Sequence, residues 1–113
     1  MDRDTNDIKG FHAHVYYDAD TRAIAARIRE SLGARFNVRV GRWHDVPVGP
    51  HPKAMYQVAF ASGEFARLVP WLLLNRDGLD ILVHAETGDA VADHSAHALW
   101  LGQSLPLNLD ALR

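Results

Sequence analysis

The sequence contains no cysteine, which removes disulfide scaffolds, iron–sulfur clusters, cysteine-built zinc sites and thiol nucleophiles together. It has no long apolar run either. Leu68 to Leu74, the longest, is too short to span a bilayer and contains Pro70. There is no basic run and the formal net charge is −2, so nothing recommends nucleic acid as a partner. No glycine-rich phosphate loop follows a strand, and no G-x-S-x-G nucleophile turn is present. The acidic, polar start Met1-Asp2-Arg3-Asp4 is unlike a secretory signal. The expectation is a soluble, cytoplasmic protein with no membrane partner. What the chain has in excess is histidine, seven in 113 residues.

An apolar fraction of 48% at this length is that of one ordered domain. Residues 1–9 read as a flexible lead-in and 10–113 as the domain. The organising stretch is Phe11 to Asp18. Successive strand side chains point to opposite faces. Phe11, Ala13, Val15 and Tyr17 therefore form a core face, with His12, His14 and Tyr16 on the other. The two imidazoles stand about 6.6 Å apart along that strand.

Asp18 to Thr21 offers N-caps, and Ile24, Ile28 and Leu32 recur at helical spacing, giving a helix over about 20–32 that Gly33 is placed to end. Phe36, Val38 and Val40 alternate as a half-buried strand. The next stretch, 42–52, holds three prolines and a glycine, and reads as an ordered loop. A third strand covers Ala54 to Phe60. Ser62 is placed to cap a second helix with the stripe Phe65, Leu68, Val69, Leu72 and Leu73, kinked at Pro70. Leu79 to His84 is a fourth strand and His97 to Leu101 a short fifth, with Ala90 to His97 between them ambiguous.

That order is an α+β fold. It reads as a ferredoxin-like βαββαβ antiparallel sheet with both helices on one face and an extra C-terminal strand. In this arrangement the first strand is central, and we expect the third beside it in parallel and the fourth antiparallel. His12, His14, His51 and His84 then converge on one corner of the open face, with Arg39 pointing to the same side. Neutral imidazole suits zinc, iron, copper and nickel alike. Asp93-His94 has the form of an acid/base histidine with its orienting carboxylate. Tyr16, Leu82 and the final strand offer a homodimer contact over the open face.

Phe11-His12-Ala13-His14-Val15-Tyr16-Tyr17, Gly49-Pro50-His51-Pro52, Ile81-Leu82-Val83-His84, and Thr87-Gly88-Asp89 through Asp93-His94 to Ala98-Leu99-Trp100-Leu101-Gly102 resemble the DOPA 4,5-dioxygenase family over residues 11–102. The resemblance implies a ferredoxin-like dioxygenase that opens a catechol ring, such as that of DOPA, with dioxygen and non-haem iron(II). It points to His14, His51, His84 and His94 as the functional set, with His12 and His97 less essential. Under it, His14, His51 and His84 hold iron, with zinc or nickel as replacements in a purified sample. His94, oriented by Asp93, and His12 act in proton transfer, and Arg39 holds a substrate carboxylate. A carboxylate ligand, for which Glu86 and Asp93 are nearest, and an all-histidine site remain equally open. Two other functions compete: a zinc-dependent hydrolase or Lewis-acid enzyme at the same histidines, and a non-enzymatic dimeric binding module.

Overall fold

A computed structural model describes residues 1–113. The chain runs β1 (Phe11–Tyr16), α1 (Arg22–Arg35), β2 (Val38–Val40), β3 (Met55–Phe60), α2 (Phe65–Asn75) and β4 (Ile81–Ala85). A single helical turn, α3 (Ala90–Asp93), and β5 (Ala98–Leu101) follow. The strands make one antiparallel sheet in the order β2-β3-β1-β4-β5, an α+β fold with the expected βαββαβ order and fifth strand.

The alternation of the strands decides what lies on each face. Ala13, Val15 and Tyr17, together with Tyr56, Val58 and Phe60 of β3 and Ile81 and Val83 of β4, meet Ala25, Ile28 and Leu32 of α1 and Leu68, Val69 and Leu72 of α2 in one apolar core. Both helices therefore sit on the same side of the sheet. The intervening residues His12, His14, Tyr16, Leu82 and His84 are left for the other side.

Three local expectations are corrected. Helix α1 does not stop at Gly33 but continues to Arg35, because Gly33 is exposed and Leu32 still accepts from the Phe36 N–H in helical fashion. Ser62 does not cap α2; it lies in a 3-10 turn, Ser62–Glu64, that feeds the helix from Ala61, and its side chain makes no capping bond. Strand β3 is antiparallel to β1, with Phe11 opposite Phe60 and Tyr16 opposite Met55. The crossover through α1 returns β2 parallel to β1, and β3 reverses from β2 to fill the gap between them, so it opposes both.

That last correction moves the start of β3 to the far end of β1 from the one expected. His51 reaches the open face by another route, the loop between β2 and β3. His44 and Met55 exchange both backbone hydrogen bonds at 2.9 Å and hold the loop to the sheet. Gly49, at φ 54°, takes a conformation that L side chains rarely adopt. This closes a turn in which the His51 N–H donates to the Val48 carbonyl at 3.0 Å.

The C-terminal tail completes the open face. Leu105 and Leu107 pack with Ala98 and Trp100 on Tyr16, Met55 and Leu82. The Asn108 N–H donates to the Pro50 carbonyl at 2.9 Å, next to His51. Tyr16 and Leu82, expected with the final strand in a dimer contact, are 1% and 0% exposed under the chain's own tail, whereas Leu99 of the final strand is 44% exposed. The lead-in has a 3-10 turn at Thr5–Asp7, and the Lys9 N–H donates to the Glu86 carbonyl at 2.7 Å. No helix is long and apolar enough to cross a membrane.

Candidate metal centre

Strand register carries the site. One row across the open face reads Arg39, Ala59, His12, His84 and Ala98, each opposite the next on neighbouring strands. The adjoining row has Gln57, His14, Leu82 and Trp100. His12 and His84 are thus cross-strand partners, with ring centroids 5.2 Å apart, and His14 follows one turn of the pleat later. The ordered loop lays His51 over His14, centroids 4.2 Å apart. Asp89 caps α3 by accepting from the Ala92 N–H at 3.1 Å, and the turn ends in His94, whose ring lies 4.1 Å from that of His84.

Four imidazoles therefore close a ring: His14 to His51 at 4.2 Å, His51 to His94 at 6.0 Å, His94 to His84 at 4.1 Å, and His84 back to His14 at 5.1 Å. Ligand atoms come within 4.8 Å of one another in two triads, His14/His51/His94 and His12/His14/His84. His14 belongs to both. The expected trio His14/His51/His84 straddles the two rather than forming one by itself.

Backbone acceptors fix the tautomers. His84 Nδ1 lies 2.9 Å from the Ala85 carbonyl and His94 Nδ1 2.8 Å from the Ala90 carbonyl. A carbonyl only accepts, so each ring carries a proton on Nδ1 and leaves Nε2 as the atom turned to the other rings' side of the site. His51 Nδ1 is hydrogen-bonded to the Tyr16 hydroxyl at 2.7 Å. Such outer partners are what orient metal-ligating histidines.

His14 supplies a direct test of whether these residues fit a metal. Its ring is 2% exposed, its Nδ1 has no partner, and its Nε2 lies 3.1 Å from His84 Nε2. A buried ring nitrogen without a partner costs free energy. The 3.1 Å gap is also close to that of two imidazole nitrogens each roughly 2.1 Å from a shared ion at about a right angle. The donor set fits a divalent transition metal.

The electrostatics agree. Burial first, and then repulsion from His51, His84, His12 and His94, holds His14 well below the usual histidine value. Burial, reinforced by His94, His84 and His44, brings His51 down to about 4. Burial also brings His84 to about 4 against the opposing Ala85 hydrogen bond. All three are neutral near pH 7, the form that binds metal.

The acid/base pair is not where the sequence places it. Asp93 turns away from His94. It accepts from the Thr87 N–H at 2.8 Å and the Thr87 hydroxyl at 2.6 Å, and meets His97 Nδ1 at 3.1 Å. Burial alone would raise the Asp93 carboxyl, but these hydrogen bonds outweigh it and lower it. His94 and Asp93 are neighbours at the end of a helical turn and point in different directions; the ring that Asp93 meets is that of His97, beyond the end of α3.

The carboxylate–histidine pair facing open space is instead Glu86 with His12, Oε1 to Nδ1 at 3.2 Å. Glu86 also stands 3.5 Å from His84 Nδ1, as an outer carboxylate beside two rings. Burial lowers the His12 value more than Glu86 raises it. The signal that would have found this pair is register: Phe11 lies opposite Ala85, so Glu86 falls beside the start of β1.

A cavity of about 490 Å³ opens beside His12, within the usual range for a small-molecule site. Lys9, Asn37, Arg39 and Glu86 line it, and Ala59 gives it room between Arg39 and His12. His44 and His97 lie outside the ring of four.

The model of the Dopa 4,5-dioxygenase family matches residues 11–111, the covering tail included. A DOPA 4,5-dioxygenase of Amanita muscaria is 34% identical over an aligned length of 113 that covers 92% of this chain and 50% of that protein. An uncharacterized 21.2 kDa protein of Botryotinia fuckeliana is 33% identical over an aligned length of 115 that covers 91% of this chain and 63% of that one. The chain thus spans between half and two thirds of these curated relatives. The crystal structure of a protein of Nostoc punctiforme, provisionally described as a dioxygenase, is 64% identical. It superposes with a TM-score of 0.98 over 99% of this chain and 97% of that one.

Proposed function

Since the chain belongs to the Dopa 4,5-dioxygenase family, we propose that it is an iron(II)-dependent dioxygenase that opens a catechol ring beside the diol. The observation that carries this reading is the ring of His14, His51, His84 and His94 on the open sheet face, linked through His12, the one imidazole in the lining, to a cavity of substrate size. These four imidazoles would hold the metal, with His14 common to every arrangement. Iron(II) bound there would acidify a diol hydroxyl and give the diol and dioxygen a common binding point.

The chain's own residues do the rest. His12 faces the cavity with Nδ1 braced by Glu86, so its Nε2 is free to take a proton from the second hydroxyl and later return it. Tyr16 keeps its hydroxyl protonated, since burial raises its value, and holds the His51 ring in place. Arg39, on the same row as His12 and His84, receives a carboxylate on the substrate side chain. Both atoms of dioxygen enter the ring-opened semialdehyde acid, so no further reductant is needed.

The test is anaerobic loading with iron(II), then oxygen uptake with L-DOPA and simple catechols while a coloured semialdehyde is followed. Equal molar loss of oxygen and catechol with colour is the expected result. No uptake from fully loaded protein with any catechol would overturn the proposal. Activity that consumes no oxygen and persists with zinc, which has no redox chemistry, would also overturn it.

A further inference from the structure

We infer that the cavity selects catechols whose side chain is anionic and carries no amine. The nature of the ring rests on the dioxygenase reading above; the preference for the side chain rests on the charges around the cavity. Two cations line it, Lys9 and Arg39, and neither has an acidic partner. Lys9 Nζ donates to the Asn6 carbonyl at 3.3 Å, which leaves its charge unmatched. Arg39 is exposed, on the outermost strand of the row that carries His12 and His84.

The lining holds one carboxylate, set at its imidazole end. Glu86 lies 3.2 Å from His12 Nδ1 and 3.5 Å from His84 Nδ1, facing the imidazoles. The lining therefore carries two positive charges against one negative: a substrate ammonium would meet two cations and the single Glu86 carboxylate, whereas a substrate carboxylate would meet both cations. Arg39 and His12 are two strand spacings apart, about 10 Å, with only the Ala59 methyl between them. An aromatic ring lying over Ala59 would turn its diol toward His12 and its acid toward Arg39. A zwitterionic amino acid gains the carboxylate contact and loses part of it through its amine.

Four catechols built on the same two-carbon chain separate these terms: hydrocaffeate (carboxylate only), L-DOPA (carboxylate and ammonium), ethylcatechol (neutral) and dopamine (ammonium only). Binding to the iron-loaded protein is measured by calorimetry without oxygen, so that affinity is read apart from turnover. Hydrocaffeate is expected to bind tightest, about tenfold or more above ethylcatechol for one charge-assisted contact. L-DOPA should fall below hydrocaffeate, and dopamine should be weakest. Arg39→Glu should invert the hydrocaffeate-to-dopamine ratio, and Lys9→Glu should shift it the same way by less. The ratio within one preparation is its own control for folding. Dopamine or ethylcatechol binding as tightly as hydrocaffeate, a ratio unmoved by Arg39→Glu, or no binding of any catechol would overturn the inference. The expected order without oxygen uptake would uphold the selectivity and sink the dioxygenase reading alone.

Discussion

On the helix-covered face of the sheet, Ala13, Val15, Val58, Ile81 and Val83 meet Ile28, Leu32, Leu68 and Leu72, and Tyr56 donates its hydroxyl to the Ala25 carbonyl. On the opposite face the same strands carry His12, His14, Tyr16, Leu82 and His84. The two sets are one residue apart along each strand. The apolar face supplies the free energy that fixes the strands; the imidazole face is buried at a cost, because its rings must stay neutral and one nitrogen is unpartnered. The site inherits its geometry from a core it does not touch.

The sharpest way to separate the faces is to remove His14, the residue common to both triads. His14→Ala is expected to abolish metal retention, read by elemental analysis, and to bring oxygen uptake to background while the fold survives. Next in size is His12→Gln. As the acid/base outside the ring of four it should keep its metal yet lose about 10²- to 10⁴-fold in turnover, as steady-state kinetics would read. Metal loss in that variant would place His12 among the ligands instead.

The core face should answer in the opposite sense. Leu72 is fully buried in α2, and Leu72→Ala should cost about 2–5 kcal/mol of stability by denaturant titration, with metal stoichiometry unchanged at low temperature. Falling pH should act through the imidazole face. The folded values of about 4 for His51 and His84 lie below the ordinary 6.5, so the unfolded chain takes up protons first. Stability of the metal-free protein is therefore full above pH 6.5 and is lost as pH falls toward 4, on the order of 3 kcal/mol for each ring. Thermal melts across that range check the sign. The smallest effect is expected from the tail: Leu107→Ala, at a half-buried contact over Tyr16 and Leu82, should cost about 1 kcal/mol.

Periodicity made much of this legible in the sequence. The alternation of Phe11 to Tyr17 placed His12 and His14 on one face, and Ile81 and Val83 put His84 beside them, because a strand has only two sides. What lay outside any period was not legible. His51 arrives on a loop whose path is set by Gly49, the His44–Met55 bridge and the tail, so its convergence was foreseen with β3 running the wrong way. Adjacency misled at Asp93-His94, since neighbours on a helical turn diverge, and it hid Glu86–His12, a pair made by register between distant segments. The covering role of the tail was open to a closer look: Leu105 and Leu107 alternate around Pro106 as a strand-like strip does.

The central claim is that the imidazoles of the open face form a metal centre, and X-ray absorption at the iron edge of the reconstituted protein tests it most directly. The account predicts an inner shell dominated by nitrogen, with the outer-shell scattering of at least three imidazole rings, and its loss in His14→Ala. An oxygen-only shell, or a spectrum that His14→Ala leaves unchanged, would contradict it.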